Sequence, residues 1–193
     1  MDMKQYDIER DMRYLQLLSQ SFPTIAEAST EIINLQAILN LPMGTEHFLA
    51  DIHGEYEAFL HVLKNASGNI KRKVNELFGN TLREQEKREL CSLIYYPEQK
   101  LELVKQVETD INDWYHITLH QLVAVCRDVS SKYTRSKVRK SLPCDFSYII
   151  QELLHEHTED HDKTAYVNVI VDTIISTGRA DDFIIAIANV IQR

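Results

Sequence analysis

Apolar residues recur every three or four positions along most of the chain, the spacing that lines one face of an α-helix. Ile8, Met12, Leu15 and Leu18 form a first amphipathic stretch. A second carries Ile25, Ala28, Ile32, Leu35 and Leu39 behind Thr24-x-x-Glu27, the pattern of a capping box. Leu41-Pro42-Met43-Gly44 closes it. Between Glu55 and Lys64, the residues Tyr56, Phe59, Leu60 and Leu63 share a face, and Asn65-Ala66-Ser67-Gly68 breaks that helix. Ile70, Val74 and Leu77 predict a short helix ending at Gly79-Asn80. Thr81-x-x-Glu84 reads as a second capping box ahead of Leu90, Leu93 and Ile94, and Pro97 suits the first turn of the next helix. Ile111, Trp114, Leu122, Val125 and Val129 mark a long helix. Further helices carry Phe146, Ile149, Ile150 and Leu153, then Val167, Ile170 and Ile174, then Phe183, Ile184, Ile187 and Ile191. Only residues 46–51 read as strand. The expected fold is mainly α, multi-helix, with one short strand near 46–51.

Composition narrows the class. An apolar share of 44% and a charged share of 26% over 193 residues allow an ordinary globular core. Five glycines and four prolines suit a helical protein, and no repeat, low-complexity segment or linker stands out. The net charge of −8 argues against a general attraction to nucleic acid or anionic membranes. No stretch approaches the roughly 20 apolar residues of a membrane span. Met1 to Arg10 is polar and charged, with no apolar core of a signal peptide. Cys91, Cys126 and Cys144 are widely spaced, which suits a reducing compartment better than a disulfide framework. The expected location is cytoplasmic.

The chemistry concentrates in Glu46-His47-Phe48-Leu49-Ala50-Asp51-Ile52-His53-Gly54. On a strand, side chains alternate with a period of two, so Asp51 and His53 would point to the same side. A carboxylate and an imidazole side by side are two ligands for a divalent metal. The helix that follows would begin beside them, where free N–H groups favour a phosphate. Together these features suggest phosphoester hydrolysis.

The longer string from Leu41 through Asp51-Ile52-His53-Gly54 to Phe59 closely resembles the class III fructose-1,6-bisphosphatases of Firmicutes and related bacteria. These are calcineurin-like metallophosphoesterases. Four more stretches are similar to the same family: Ser29-Thr30-Glu31-Ile32-Ile33-Asn34-Leu35, Leu93-Ile94-Tyr95-Tyr96-Pro97, Ser130-Ser131-Lys132-Tyr133-Thr134-Arg135-Ser136-Lys137 and Gly178-Arg179-Ala180-Asp181. The resemblance runs from about residue 20 onward.

It implies a metal pair, usually manganese, with Asp51 and His53 as ligands of the first ion. Gly54 would let the chain pass close to the phosphate, and Glu46 or His47 would support the ligands from behind. The substrate would be fructose 1,6-bisphosphate, hydrolysed at its 1-phosphate to fructose 6-phosphate in gluconeogenesis. A possible homo-oligomer goes with that reading.

The family's later motifs, Gly-Asp-x-x-Asp-Arg-Gly and Gly-Asn-His-Asp/Glu, do not occur here. The resemblance therefore implies an N-terminal portion of a longer enzyme. Residues 1–45 would be N-terminal helices, 46–64 the first strand and helix of the metallophosphoesterase core, and 65–193 a helical insertion. The α/β sandwich core would come from sequence absent here, and the missing C-terminal portion is the expected partner. A bimetal site holds its ions about 4 Å apart with a bridging carboxylate and several further donors, so two ligands predict an inactive chain. A lone strand also leaves its edges bare, which predicts a tendency to associate. The alternative function is a non-catalytic helical module for assembly or regulation.

Other polar clusters have plainer readings. His116 and His120 have ligand spacing, but position 117 is Ile where a His-Glu-x-x-His zinc motif needs Glu. His161-Asp162, within His155-Glu156-His157-Thr158-Glu159-Asp160-His161-Asp162, mimics the dipeptide of helical HD-type phosphohydrolases, yet the segment reads as a solvated break between helices. Cys91 and Cys126 fall on apolar faces as small core residues. The basic string Lys132, Arg135, Lys137, Arg139 and Lys140 reads either as a solvated helix end or as a phosphate contact through Lys132 and Arg135.

Overall fold

The computed structural model describes residues 8–41, 46, 48–51, 53–65, 67–155 and 161–192. Among them every regular element is helical. In chain order these are α1 (Ile8–Ser21), α2 (Ile25–Ile38), α3 (Tyr56–Asn65), α4 (Asn69–Phe78), α5 (Glu84–Tyr95) and α6 (Pro97–Val107). Then come α7 (Ile111–Ser130), α8 (Arg135–Ser141), a single 3-10 turn (Cys144–Phe146), α9 (Ser147–His155), α10 (His161–Ser176) and α11 (Ala180–Gln192). The chain divides into two compact units, Met1–Met43 and Gly44–Arg193.

In the first unit, the predicted capping box opens α2. Thr24 Oγ1 accepts a hydrogen bond from the Glu27 amide at 3.2 Å, and the Glu27 carboxylate accepts one from the Thr24 amide at 3.0 Å. Two of the N–H groups that a helix start leaves unpaired are thereby satisfied. No residue of α2 is buried, and Ile25, Ile32, Ile33 and Leu35 all stand exposed.

The second unit is built on α7. This 20-residue helix starts at Asp110, whose side chain accepts from the Asp113 amide, and it buries Leu119, Leu122, Val123, Val125 and Cys126. Its most extensive partner is α11, whose Phe183, Ile184, Ile187 and Ala188 have no accessible surface. Each such aliphatic or aromatic side chain contributes roughly 1.5–3 kcal/mol by leaving water. Helices α4, α9 and α10 pack on α7, while α5 joins α4, α6 and α11. Phe183 also meets Phe146 edge to face, with ring centroids 5.3 Å apart.

Polar contacts set the ends of these helices. Helix α10 stops at Gly178, which has φ +70°. The Arg179 amide donates to the Ile174 carbonyl and the Gly178 amide to the Ile175 carbonyl, both at 3.0 Å, a Schellman motif. Arg179 then lies over the Phe146 ring and pairs with Asp182 at 2.8 Å. Asp181 accepts from the Tyr115 hydroxyl at 2.6 Å and from Lys105, which ties the start of α11 to α7 and α6. Burial and that carboxylate raise the Tyr115 pKa above its ordinary value. On the other side of α7, Asp128 holds Lys73 of α4 at 3.0 Å.

Two expectations need correction. The strand predicted at residues 46–51 is absent: of its described residues, 46 and 48–51, none is in a strand. A ladder needs a partner, and the regular elements described here close their backbone hydrogen bonds inside helices. The second capping box is also displaced. Helix α5 begins at Glu84, and Glu86 rather than Glu84 reaches back, accepting from the Arg83 amide at 2.7 Å. The Thr81 hydroxyl donates instead to the Phe78 carbonyl. The helix-ending Leu41-Pro42-Met43-Gly44 falls mostly outside the described residues, as does Ala66 in the break after α3.

Phe183→Ala is expected to lower stability by about 3–5 kcal/mol, because it removes a fully buried ring that packs on Phe146 in the core. Gly178→Ala should cost only about 1–2 kcal/mol, the penalty of a left-handed backbone. No atom lies within 4 Å of the added Cβ. Urea unfolding of both variants checks this, and a larger loss for Gly178→Ala than for Phe183→Ala would refute the account of the core.

Candidate functional site

Asp51, His53 and Gly54 have φ of +53°, +51° and +73°. The left-handed region costs an ordinary residue roughly 1–2 kcal/mol, although Asp and His enter it more readily than most. Strain of this kind is characteristic of functional turns. It also removes the premise of the strand argument, since period-two alternation does not hold for left-handed backbone. His53 and Gly54 lie in a turn instead, with Asp51 ahead of it.

Both side chains are exposed, and so is that of Glu46. His47 lies outside the described residues. Among the described residues, no three His, Cys, Asp or Glu side chains gather where they could hold a metal ion. The two donors are of the right chemical type and too few in number.

The turn leads directly into α3, and α3 is tethered by polar contacts rather than burial, for none of its residues is buried. His61 Nδ1 and the Tyr96 hydroxyl share a hydrogen bond of 2.5 Å, and Asn65 Nδ2 donates to the same hydroxyl at 3.0 Å. Lys64 Nζ donates to the Tyr95 carbonyl at 2.9 Å and sits 5.1 Å from the centre of the Tyr96 ring. The cause is the end of α5: Tyr96 leaves helical backbone with φ −136° and ψ 63°, so carbonyls of the last α5 turn have no partner within the helix. Lys64 takes one of them. Gln192 at the end of α11 takes another, donating to the Ile94 carbonyl at 2.6 Å. The stretch Leu93-Ile94-Tyr95-Tyr96-Pro97 thus joins four helices.

The basic string takes a definite arrangement. Thr134 caps α8, its hydroxyl accepting from the Lys137 amide at 3.3 Å. Lys132 and Lys137 lie 5.0 and 4.5 Å from the centre of the Tyr133 ring. Arg135 instead lines a cavity of about 280 Å³ together with Arg127 and His155, and Gly54 is not part of that wall. Lys132 does not line that cavity, although Tyr133, the ring it lies over, does. Nothing in the sequence pairs Arg127 with Arg135, because seven residues that include a turn lie between them and no periodic signal links them.

The remaining clusters are structural. His116 Nε2 lies 3.2 Å from Asp172 Oδ1, a contact between α7 and α10. Loss of solvent, then the neighbouring His116, lowers the His120 pKa. Cys91 and Cys126 are buried, and burial pushes the Cys126 thiol up to about 11, far from a reactive thiolate. Of the acidic segment after His155, residues 156–160 lie outside the described residues.

Geometry alone defines a helical bundle bearing an exposed acid–imidazole turn. The chain belongs to the Firmicute fructose-1,6-bisphosphatase family, whose profile matches residues 13–193. It is 79% identical over 186 residues to a protein of Phocaeicola vulgatus named fructose-1,6-bisphosphatase class 3, covering 96% of this chain and 28% of that protein. A protein of the same name from Porphyromonas gingivalis is 67% identical over 96% of this chain and 28% of its own length. One from Clostridium beijerinckii, fructose-1,6-bisphosphatase class 3 2, is 63% identical over 99% of this chain and 29% of its own length. The chain thus spans under a third of the curated relatives it matches. No solved structure matches it.

Tyr96→Phe is expected to loosen α3 selectively, since it removes both hydrogen bonds to the tyrosine hydroxyl. A loss of 1–2 kcal/mol would speed amide hydrogen exchange in α3 by roughly 5–30-fold, with α7 and α11 unchanged. Uniform acceleration across the bundle would show that Tyr96 serves the core rather than the tether.

Proposed function

We propose that this chain forms the helical N-terminal part of a metal-dependent fructose-1,6-bisphosphate 1-phosphatase. That enzyme converts fructose 1,6-bisphosphate and water to fructose 6-phosphate and phosphate in gluconeogenesis, in the cytoplasm. The observation that carries the reading is the family match over residues 13–193, with relatives that bear the fructose-1,6-bisphosphatase name. In this reading Asp51 and His53 are two ligands of a divalent metal, manganese, and the remaining donors belong to the rest of the longer protein. The left-handed backbone at Asp51 and His53 sets the direction in which the two side chains leave the chain, and the contacts of α3 with Tyr95 and Tyr96 steady the helix that follows. Gly54 leaves room for a phosphate to approach the backbone. Two donors do not make a metal pair, so no reaction step is assigned to this chain's residues by themselves.

A second reading, a non-catalytic helical module for assembly or regulation, draws support from one fact. The hydrophobic core runs from Ile70 to Ile191 and closes without Asp51 or His53.

Phosphate release separates the two. The 193-residue chain with manganese is expected to release none from fructose 1,6-bisphosphate. In a protein of the relatives' full length carrying this segment, Asp51→Asn and His53→Gln should each lower kcat by about 100-fold or more, beyond the 10–100-fold typical of residues that only support a ligand. Unchanged turnover in both variants would sink the ligand assignment, and the helical-module reading would take its place.

A further inference from the structure

We propose that the cavity walled by the end of α7, the start of α8 and the end of α9 binds the phosphoryl group of a small phosphorylated metabolite. Arg127 carries the argument. Its Nη2 donates to the Leu153 carbonyl at 2.7 Å, which caps α9 and fixes the plane of the guanidinium. Its Nε is buried and has no acceptor among the described residues. A buried donor left unpaired is unfavourable, most of all on a charged group. Arg127 lines the cavity and forms no ion pair among the described residues, so an anion entering it would neutralise a guanidinium whose buried Nε itself lies out of the cavity's reach.

Arg135 stands on the same cavity wall, exposed, and forms no ion pair among the described residues. Two guanidinium groups from different helices converging on one space form a phosphate fork, whereas a solvated helix end would fan them apart. The Ser130 hydroxyl and the His155 ring add polar atoms that need no further charge, and Ser130 is held only weakly, with Cys126 Sγ at 4.0 Å. Val138 and Leu154, both buried, give the cavity an apolar patch, which favours a phosphate carried on a carbon body over the bare ion.

The chain segment that forms the α7–α8 side of the cavity is rich in cations. From Arg127 to Lys140 there are six cations and one acid, in a chain whose net charge is −8. That acid, Asp128, is already engaged by Lys73. Lys132 and Lys137 both crowd the Tyr133 ring beside the cavity, where an anion would relieve their mutual repulsion. At about 280 Å³ the space suits a phosphomonoester rather than a nucleic acid or a protein segment. This inference does not depend on Asp51 or His53.

The test is an NMR titration of the arginine Nε–H resonances of the full 193-residue chain, with inorganic phosphate and fructose 1,6-bisphosphate as probes. Arg127→Lys identifies the Arg127 signal by its loss. A saturable shift with half-saturation at or below about 1 mM is expected, weakened at least about tenfold in Arg135→Ala and partly restored in Arg135→Lys. Arg88→Ala, on α5 and outside the cavity lining, should bind as the parent does. No saturable shift up to about 20 mM, or equal affinity in Arg135→Ala and the parent, would overturn the proposal. Tighter binding of the bisphosphate at the same resonance would identify the phosphoryl group as the substrate's. Equal or weaker binding than phosphate would assign the cavity to another phosphomonoester. Since the readout is binding and not turnover, its failure and a failure of the phosphatase reading are distinguishable.

Discussion

The contact between α7 and α11 is the constraint on which the second unit depends. Phe183, Ile184 and Ile187 of α11 share one buried core with Leu119, Leu122 and Cys126 of α7, and α4, α5, α9 and α10 pack on one or other of the two helices. Such a core tolerates no large void, since cavities cost free energy in proportion to their volume. The consequence for function is a division of labour. The bundle is self-sufficient in apolar contacts, whereas the Asp51–Gly54 turn contributes nothing to the core and is tethered to it through polar bonds to the α5–α6 junction.

That arrangement explains what the family-like stretches do in this chain. Leu93-Ile94-Tyr95-Tyr96-Pro97 is the junction whose unpaired carbonyls draw in Lys64 and Gln192. Gly178-Arg179-Ala180-Asp181 ends α10 in a Schellman turn and starts α11 with a carboxylate already bonded to Tyr115. Ser130 to Lys137 is the turn from α7 to α8. Each is helix punctuation, where the geometry leaves few residue choices. The motif at Asp51 differs: it holds two non-glycine residues in left-handed backbone, a local cost with no packing return, as expected of a segment shaped for a ligand.

A phosphatase reading built on two donors is complete only within a longer protein, and the chain's share of its relatives, 28%, agrees with that division. The basic cavity is a different kind of feature. Its described walls come from α7, α8, α9 and the turn between α7 and α8, and the Arg127 guanidinium is fixed by the fold itself through Leu153.

By itself the sequence determined the helices and much of their punctuation. Apolar spacing located most of the helices, with α6 marked only by Pro97 and α8 by no apolar stripe, and Thr24 and Pro97 stand at helix boundaries, because periodicity and capping are local properties. Its errors were non-local. The strand at 46–51 failed for want of a partner, which no local pattern can reveal. The Thr81 box failed because the α5 start moved to suit Glu86 and the Arg83 amide. The pairing of Asp51 with His53 was legible as a motif but not in its geometry, since a positive φ is imposed by the turn and not by alternation. Only the tertiary structure decided that Arg127 and Arg135 share a cavity while Lys132 sits on Tyr133, for that proximity arises when α9 folds back against α7.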